Sequence, residues 1–124
     1  MGRHKAAEQC QISPWFSGRL NCKERRFLQI GDSFMLSDPV KRLKAGEFML
    51  YVCMGMEAGG KKQFLFPQKS AKKYGISKSS FGRHKDELIK KGFIKLVGES
   101  GKITREPNLY EFCLNWKDGA PKPP

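Results

Sequence analysis

The stretch PQKSAKKYGISKSSFGRHKDELIKKGFI, residues 67–94, decides the fold. It predicts two helices, from about Gln68 to Tyr74 and from about Lys78 to Lys91. Gly75 stands where a helix end needs the left-handed backbone conformation, and Ser77 is a residue type that caps the next helix. Gly92 follows two lysines, whose charges suit a helix C-terminus, and closes the second helix. The segment therefore predicts a helix, a tight turn and a second helix.

This pattern of glycines, cap and apolar spacings resembles the winged helix-turn-helix family. The residues that carry the resemblance are Ala71, Tyr74, Gly75, Ile76, Ser77, Phe81, Leu88, Gly92, Phe93 and Ile94. The resemblance implies an α+β fold with three or four helices, a short strand and a C-terminal β-hairpin wing. It also implies that helix 78–91 enters the major groove of double-stranded DNA. A simple helical hairpin remains the plain alternative for the same spacing.

One position departs from the family pattern, because Lys85 occupies a place that is usually apolar, four residues after Phe81. Its aliphatic stem can line the edge of the core while the ammonium stays in solvent. His84 can fill the gap instead. The departure leaves the rotation of the second helix open.

The charge of the chain concentrates on the same region. The chain of 124 residues has 24 Lys and Arg against 12 Asp and Glu, a formal net charge of +12. Residues 61–105 contain thirteen Lys or Arg and three acids, a net charge of +10. A solvated surface needs charge but not charge of one sign, so this excess indicates a polyanion partner, with nucleic acid first.

Several function classes find no support in the sequence. No apolar run approaches the length of about 20 residues that spans a bilayer, and the first ten residues lack a signal core, so we expect a cytoplasmic protein with no membrane partner. Cys10 and Cys22, with His4, fit no common zinc spacing, and Cys53 and Cys113 read as small core residues. We expect no enzyme, no catalytic residue, no cofactor and no metal.

The rest of the chain divides into an arm, a domain and a tail. Residues 1–26 are polar and basic, and we expect the first ten to be mobile. The domain spans 27–116, and the tail 117–124, with three prolines, should fray.

Within the domain, 27–36 reads as a strand or extended lead-in. Ser37, Asp38 and Pro39 signal the start of a short helix. Residues 45–58 form the most apolar helix, which we expect to be buried on most sides. A short strand is predicted at 63–66. A hairpin is predicted from strands 93–97 and 109–116, joined by the loop 98–108.

The resemblance assigns DNA contacts to three groups of residues. On the second helix, Arg83 is the candidate for reading a guanine, because a guanidinium can bond O6 and N7 together. The remaining candidates are Lys69, Lys72 and Lys73 over the phosphates, Ser77, Lys78, Ser79 and Ser80 at the start of the second helix, and Lys102, Thr104 and Arg105 on the wing. A solvated side chain is the alternative for each lysine.

The span 27–116 is also similar to helix-turn-helix proteins of bacterial mobile elements and phages. The similarity lies in GEFMLYVCMGM, FLFP, GFI and the closing NLYEF and Trp116. It implies a transcription regulator or a replication-initiation accessory, with a homodimer as an option. The rivals are a winged-helix protein interaction module and an RNA-binding protein. RNA binding favours exposed aromatic side chains, whereas the aromatic residues here are expected at core positions.

Overall fold

The computed structural model describes residues 9–98 and 109–117. In these ranges the fold is mixed α+β, with five α-helices and two small antiparallel sheets. The helices are α1 (Asp32–Leu36), α2 (Asp38–Lys41), α3 (Ala45–Ala58), α4 (Gln68–Lys73) and α5 (Lys78–Lys90). The strands are β1 (Cys10–Gln11), β2 (Lys23–Glu24), β3 (Gln63–Leu65), β4 (Ile94–Gly98) and β5 (Leu109–Phe112).

The larger sheet places the last strand in the middle. Its order is β3-β5-β4, and both pairings are antiparallel. Tyr110 of β5 lies opposite Phe64 of β3 on one side and Leu96 of β4 on the other. The helices α4 and α5 connect β3 to β4, and β5 then pairs with both of these strands.

The core forms where α3, α5 and the sheet meet. Leu50 and Met54 of α3 and Leu88 of α5 have no exposed surface, and Phe93 and Tyr110 are almost as deeply buried. The predicted helix 45–58 is confirmed at both ends. It is not apolar on all sides, however, because Met49 is 47% exposed and Glu47 is buried with the apolar residues.

The expectation of an extended segment over the whole of 27–36 is wrong, since α1 occupies its second half. Gly31, in extended conformation, precedes the helix, and the Asp32 carboxylate suits its N-terminus. Phe34 then packs edge-on against Trp116, with ring centroids 5.5 Å apart, and stacks on Tyr51 at 6.0 Å. This aromatic contact favours a helix over the weak alternation of the sequence.

Other boundaries agree with the sequence except at the last strand. The short helix after Ser37, the strand at Gln63–Leu65 and the two helices of the 67–94 segment all form. The last strand was predicted to reach Trp116 but ends at Phe112. The chain turns there, and the Trp116 ring stacks on Phe93 with centroids 5.1 Å apart. The loop between the two strands of this hairpin lies mainly outside the described residues, as do 1–8 and 118–124.

The basic arm is more structured than its composition predicts. The strands β1 and β2 pair with each other, and a single 3₁₀ turn at Pro14–Phe16 lies between them. Trp15 and Phe16 are 78% and 79% exposed, so the expectation that the aromatic residues occupy core positions is wrong for these two. Their place on a two-stranded hairpin explains this, because so small a sheet has no second layer to cover them.

Candidate nucleic-acid interface

The turn between α4 and α5 is fixed by backbone geometry. Gly75 has a φ of 80°, which L side chains rarely adopt. Its N–H donates to the carbonyl of Lys72, and the Ile76 N–H donates to the carbonyl of Ala71, both at 2.9 Å. This pair of bonds satisfies the last carbonyls of α4 and sets the direction in which the chain leaves it.

The start of α5 is capped as the sequence predicts. Ser77 is extended, with φ −70° and ψ 161°, and its Oγ accepts a hydrogen bond of 3.2 Å from the Ser80 N–H. The cap places Ser77, Lys78 and Ser79 at the exposed entrance of the helix. Free N–H groups and the helix dipole make such an entrance favourable for anions.

The end of α5 repeats the arrangement found at the end of α4. Gly92 has a φ of 87°, its N–H donates to Ile89, and the Phe93 N–H donates to Leu88. Phe93, directly before β4, is thereby placed in the core. The two glycines therefore determine where the second helix starts and stops relative to the sheet.

The rotation of α5, which Lys85 left open, is fixed by the residues that face inward. Leu88 is fully buried, and the Phe81 ring packs on Phe66 with centroids 5.7 Å apart. The His84 imidazole lies against Gly46 of α3, so His84 fills the gap. Lys85 keeps its side chain 25% exposed, with Nζ 5.9 Å from the centre of the Phe81 ring.

The opposite face of α5 carries the predicted contact residues. Ser79 and Arg83 are exposed, and Ser80 is half-buried between the two faces. The Arg83 guanidinium donates a hydrogen bond of 3.2 Å to Ser80 Oγ. Asp86 is also exposed, about one turn beyond Arg83 and two turns beyond Ser79. Its carboxylate lies 3.7 Å from Lys85 Nζ. The positive and hydrogen-bonding character is therefore concentrated in the first two turns.

The three predicted lysines of α4 differ in their surroundings. Lys69 and Lys72 are exposed and form no ion pair with the described residues. Lys73 instead lies 2.5 Å from Glu57 of α3. Within the part of the chain that the structure describes, Lys69 and Lys72 therefore have ammonium groups without a carboxylate partner, whereas that of Lys73 is shared with Glu57.

Glu57 joins three parts of the molecule, a role that the sequence did not indicate. Besides Lys73, its carboxylate accepts hydrogen bonds from the Arg26 guanidinium at 3.1 Å and from the Tyr74 hydroxyl at 2.7 Å. Burial raises the pKa of Glu57, but the hydrogen bonds from Lys73 and Tyr74 outweigh it and lower the pKa below its usual value. Burial and the neighbouring Glu57 raise the pKa of Tyr74 to about 12. The basic arm is therefore attached beside α4.

The base of the predicted wing carries compensated charge. Glu111 of β5 lies 3.4 Å from Lys62 and 3.6 Å from Lys95, and it accepts a hydrogen bond of 2.8 Å from Gln63. The bond from Gln63, with the two lysines, lowers the pKa of Glu111. The predicted wing contacts Lys102, Thr104 and Arg105 lie outside the described residues.

Comparisons with known proteins found no similar protein. No protein-family model matches the chain, and no significant match was found among curated proteins or solved structures. None of the described helices is long and apolar enough to cross a membrane. Within 9–98 and 109–117, no three His, Cys, Asp or Glu side chains lie close enough together to hold a metal ion.

Proposed function

We propose that this protein is a winged helix-turn-helix protein that binds double-stranded DNA without catalysing a reaction. The order helix, strand, two helices and hairpin, with the last strand in the middle of the sheet, agrees with the winged helix. In this arrangement α5 is the helix that enters the major groove, and β4 and β5 flank the wing.

The observation that carries the proposal is the distribution of unpaired positive charge. Among the described residues of α4 and α5, the cations without an ion pair are Lys69, Lys72, Lys78 and Arg83. All four are exposed, and they lie on α4 and the first two turns of α5. The cations nearer the C-terminus of α5, such as Lys90 and Lys91, face carboxylates instead. Phosphates are the counter-charge that suits the unpaired group.

The test is the salt dependence of binding to a non-specific duplex. Neutralising about four to six phosphates should make log K fall against log salt with a slope of roughly −4 to −5. Replacing Lys69 and Lys72 by Gln should make this slope shallower by about 2. The control replaces Lys62 and Lys95, which already share Glu111, by Gln and should change the slope less. A slope near zero for the unmodified protein would contradict DNA binding.

A second candidate function is protein interaction, and the exposed hairpin of the arm favours it. Trp15, Phe16 and Leu20 are 78%, 79% and 105% exposed. Exposed large apolar side chains that lie close together in the sequence are the kind of feature that a protein partner covers. A second copy of the chain is the simplest such partner, and a homodimer would also place two α5 helices on one DNA molecule.

Sedimentation equilibrium over a range of concentrations distinguishes a homodimer from a monomer. Replacing Trp15 and Phe16 by Ser should shift a dimer to a monomer that keeps the far-UV circular dichroism spectrum of the folded chain. A monomer at all concentrations would remove the homodimer. Competition between single-stranded RNA and duplex DNA decides the RNA alternative, because exposed aromatic side chains can also stack on unpaired bases.

A further inference from the structure

A cavity of about 480 Å³ lies on the side of α3 that carries Tyr51, Val52 and Gly55. The segment 28–31 forms one wall, and Phe112 and Trp116 form another. Its size falls within the range of small-molecule sites, and most of the lining side chains are apolar or aromatic, as such sites require.

One buried polar atom in this lining points at Tyr51 but makes no hydrogen bond of ordinary geometry with the described residues. This atom is the Trp116 Nε1, which is inaccessible to solvent. Burial raises the pKa of Tyr51 to about 12, and the Trp116 N–H acts in the opposite direction by lowering that pKa. Buried N–H groups of tryptophan usually have an acceptor. Because this nitrogen is inaccessible to solvent, an acceptor on a bound molecule would reach it only if a neighbouring part of the lining, such as the Tyr51 side chain, moved.

The charged residues of the lining are all positive. Among the described residues, Lys61 and Lys62 line the cavity, and no Asp or Glu does. Lys62 shares its charge with Glu111 at 3.4 Å, whereas Lys61 is exposed and has no ion pair with the described residues. An anionic group next to Lys61 would complete an ion pair.

The wall formed by 28–31 can adjust to an occupant. Leu28 packs directly on Gly55, where a Cβ would lie 2.9 Å from Leu28 Cδ1. The backbone N–H groups of Leu28, Gln29 and Ile30 make no hydrogen bond with the described residues. The Gly31 carbonyl accepts hydrogen bonds from the Phe34 and Met35 N–H groups, so residue 31 is held by α1, whereas residues 28–30 can move without losing a hydrogen bond from their own N–H groups to the described residues.

We infer that this cavity binds a flat, mostly aromatic small molecule that carries one anionic group. The aromatic body packs among Phe34, Tyr51 and Phe112, an acceptor atom meets the Trp116 N–H, and the anionic group lies beside Lys61. The inference does not rest on DNA binding, because the cavity lies on α3 and the sheet, away from the exposed face of α5.

The experiment uses two fluorescent probes that differ in one group. The first, 1-anilinonaphthalene-8-sulfonate, is an aromatic anion, and the second, N-phenyl-1-naphthylamine, is the same body without the sulfonate. Both are titrated into the full chain carrying Trp15→Phe, which leaves Trp116 as the single tryptophan. We expect one molecule of the anion to bind, to bind more tightly than the neutral probe, and to quench Trp116 emission.

Three further variants in this background locate the binding. Lys61→Gln should weaken the anionic probe about two- to fivefold, the effect of one partly solvated ion pair, and leave the neutral probe unchanged. Lys69→Gln removes the same charge from α4 and should change neither probe. Val52→Phe fills the cavity and should weaken both probes roughly tenfold or more.

Three results would contradict binding of an aromatic anion in this cavity. Equal effects of Lys61→Gln and Lys69→Gln, equal binding of the two probes, or unchanged Trp116 emission would each overturn it. If circular dichroism shows that Val52→Phe fails to fold, the two lysine variants and the Trp116 quenching still decide it.

Discussion

The Lys91 ammonium donates a hydrogen bond of 2.6 Å to Oε1 of Glu47, a carboxylate that is only 1% exposed. The same oxygen accepts a hydrogen bond of 3.1 Å from the Lys44 N–H. One carboxylate thus caps the first turn of α3 and holds the last turn of α5. A buried ion with both partners in place is stable, but the loss of one partner leaves an uncompensated group.

Removal of this carboxylate should destabilise the domain. We expect Glu47→Ala to lower the free energy of unfolding by about 2–4 kcal/mol, because it deletes two hydrogen bonds and leaves the half-buried Lys91 without its nearest partner. Urea denaturation measures the change. Glu87→Ala is the control, since Glu87 also lies 3.9 Å from Lys91 but is 39% exposed. It should cost less than about 1 kcal/mol. Equal effects would contradict the central role of Glu47.

The same carboxylate predicts a dependence of stability on pH. Burial raises the pKa of Glu47, but the hydrogen bonds from Lys91 and Lys44 outweigh it, so the pKa lies below the ordinary 4.5. A carboxyl with a lowered pKa contributes its stability above pH 4.5, and the contribution is lost as the pH falls through the folded-state pKa. The free energy of unfolding should therefore decrease below pH 4.5 less steeply in Glu47→Gln than in the unmodified protein. Parallel curves would contradict this assignment.

Two glycines should respond in opposite directions to the same substitution. Gly75 has a φ of 80°, so Gly75→Ala should lower the free energy of unfolding by about 1–2 kcal/mol. Gly82 lies inside α5, and apart from the backbone of its own helix no described atom lies within 4 Å of an added Cβ. Gly82→Ala should therefore raise stability by about 0.5–1 kcal/mol. Thermal melting in the absence of DNA measures both. An unchanged or raised midpoint for Gly75→Ala would show that the turn is not under backbone constraint, and a lowered midpoint for Gly82→Ala would contradict the open space beside Gly82.

The contact between His84 and Gly46 can be tested by a double-mutant cycle. A Cβ on Gly46 would lie 2.2 Å from His84 Nε2, so Gly46→Ala should cost about 1–3 kcal/mol by forcing the imidazole aside. In a His84→Ala background the same change should be neutral or stabilising, because the obstacle is gone and alanine favours a helix. Denaturant titration of the four proteins gives the coupling. Additive effects would mean that the two residues do not constrain each other.

The parts of the fold that were predictable are those set by local chemistry. Gly75 and Gly92 were identified as helix-ending residues, and both have positive φ. Ser77 was identified as a cap and accepts the expected bond. The helix 45–58 was bounded correctly by its apolar content. Each of these features depends on residues that are near one another in the chain.

The parts that were missed depend on contacts between distant segments. Glu47 meets Lys91, and Glu57 meets Arg26, only after the chain has folded. Charged residues within an apolar helix read as solvated positions, so no local signal marked either of them. The helix α1 was missed because Trp116, far along the chain, provides the ring against which Phe34 packs.

For the candidate site, the sequence identified the exposed residues but not their pairing. Lys72 and Lys73 are adjacent and look alike in the sequence, yet only Lys73 faces Glu57. This difference predicts different phenotypes. Lys72→Ala should weaken binding to all duplexes about equally and lower the magnitude of the salt slope by about 1. Lys73→Ala should instead lower the thermal midpoint, with a smaller effect on the slope.

Arg83 should separate specificity from affinity, because it lies on the exposed face of α5 while Phe81 and Leu88 face the core. If its guanidinium leaves Ser80 to bond a guanine, Arg83→Ala should weaken a selected site by about 1–3 kcal/mol and relax the choice at one base pair. Binding to a scrambled duplex should change much less. Fluorescence anisotropy with both duplexes measures the four affinities.

Equal weakening of binding to both duplexes by Arg83→Ala would mean that Arg83 contacts only a phosphate. No change in either would mean that α5 does not enter the groove, and the interaction module would then be the better explanation.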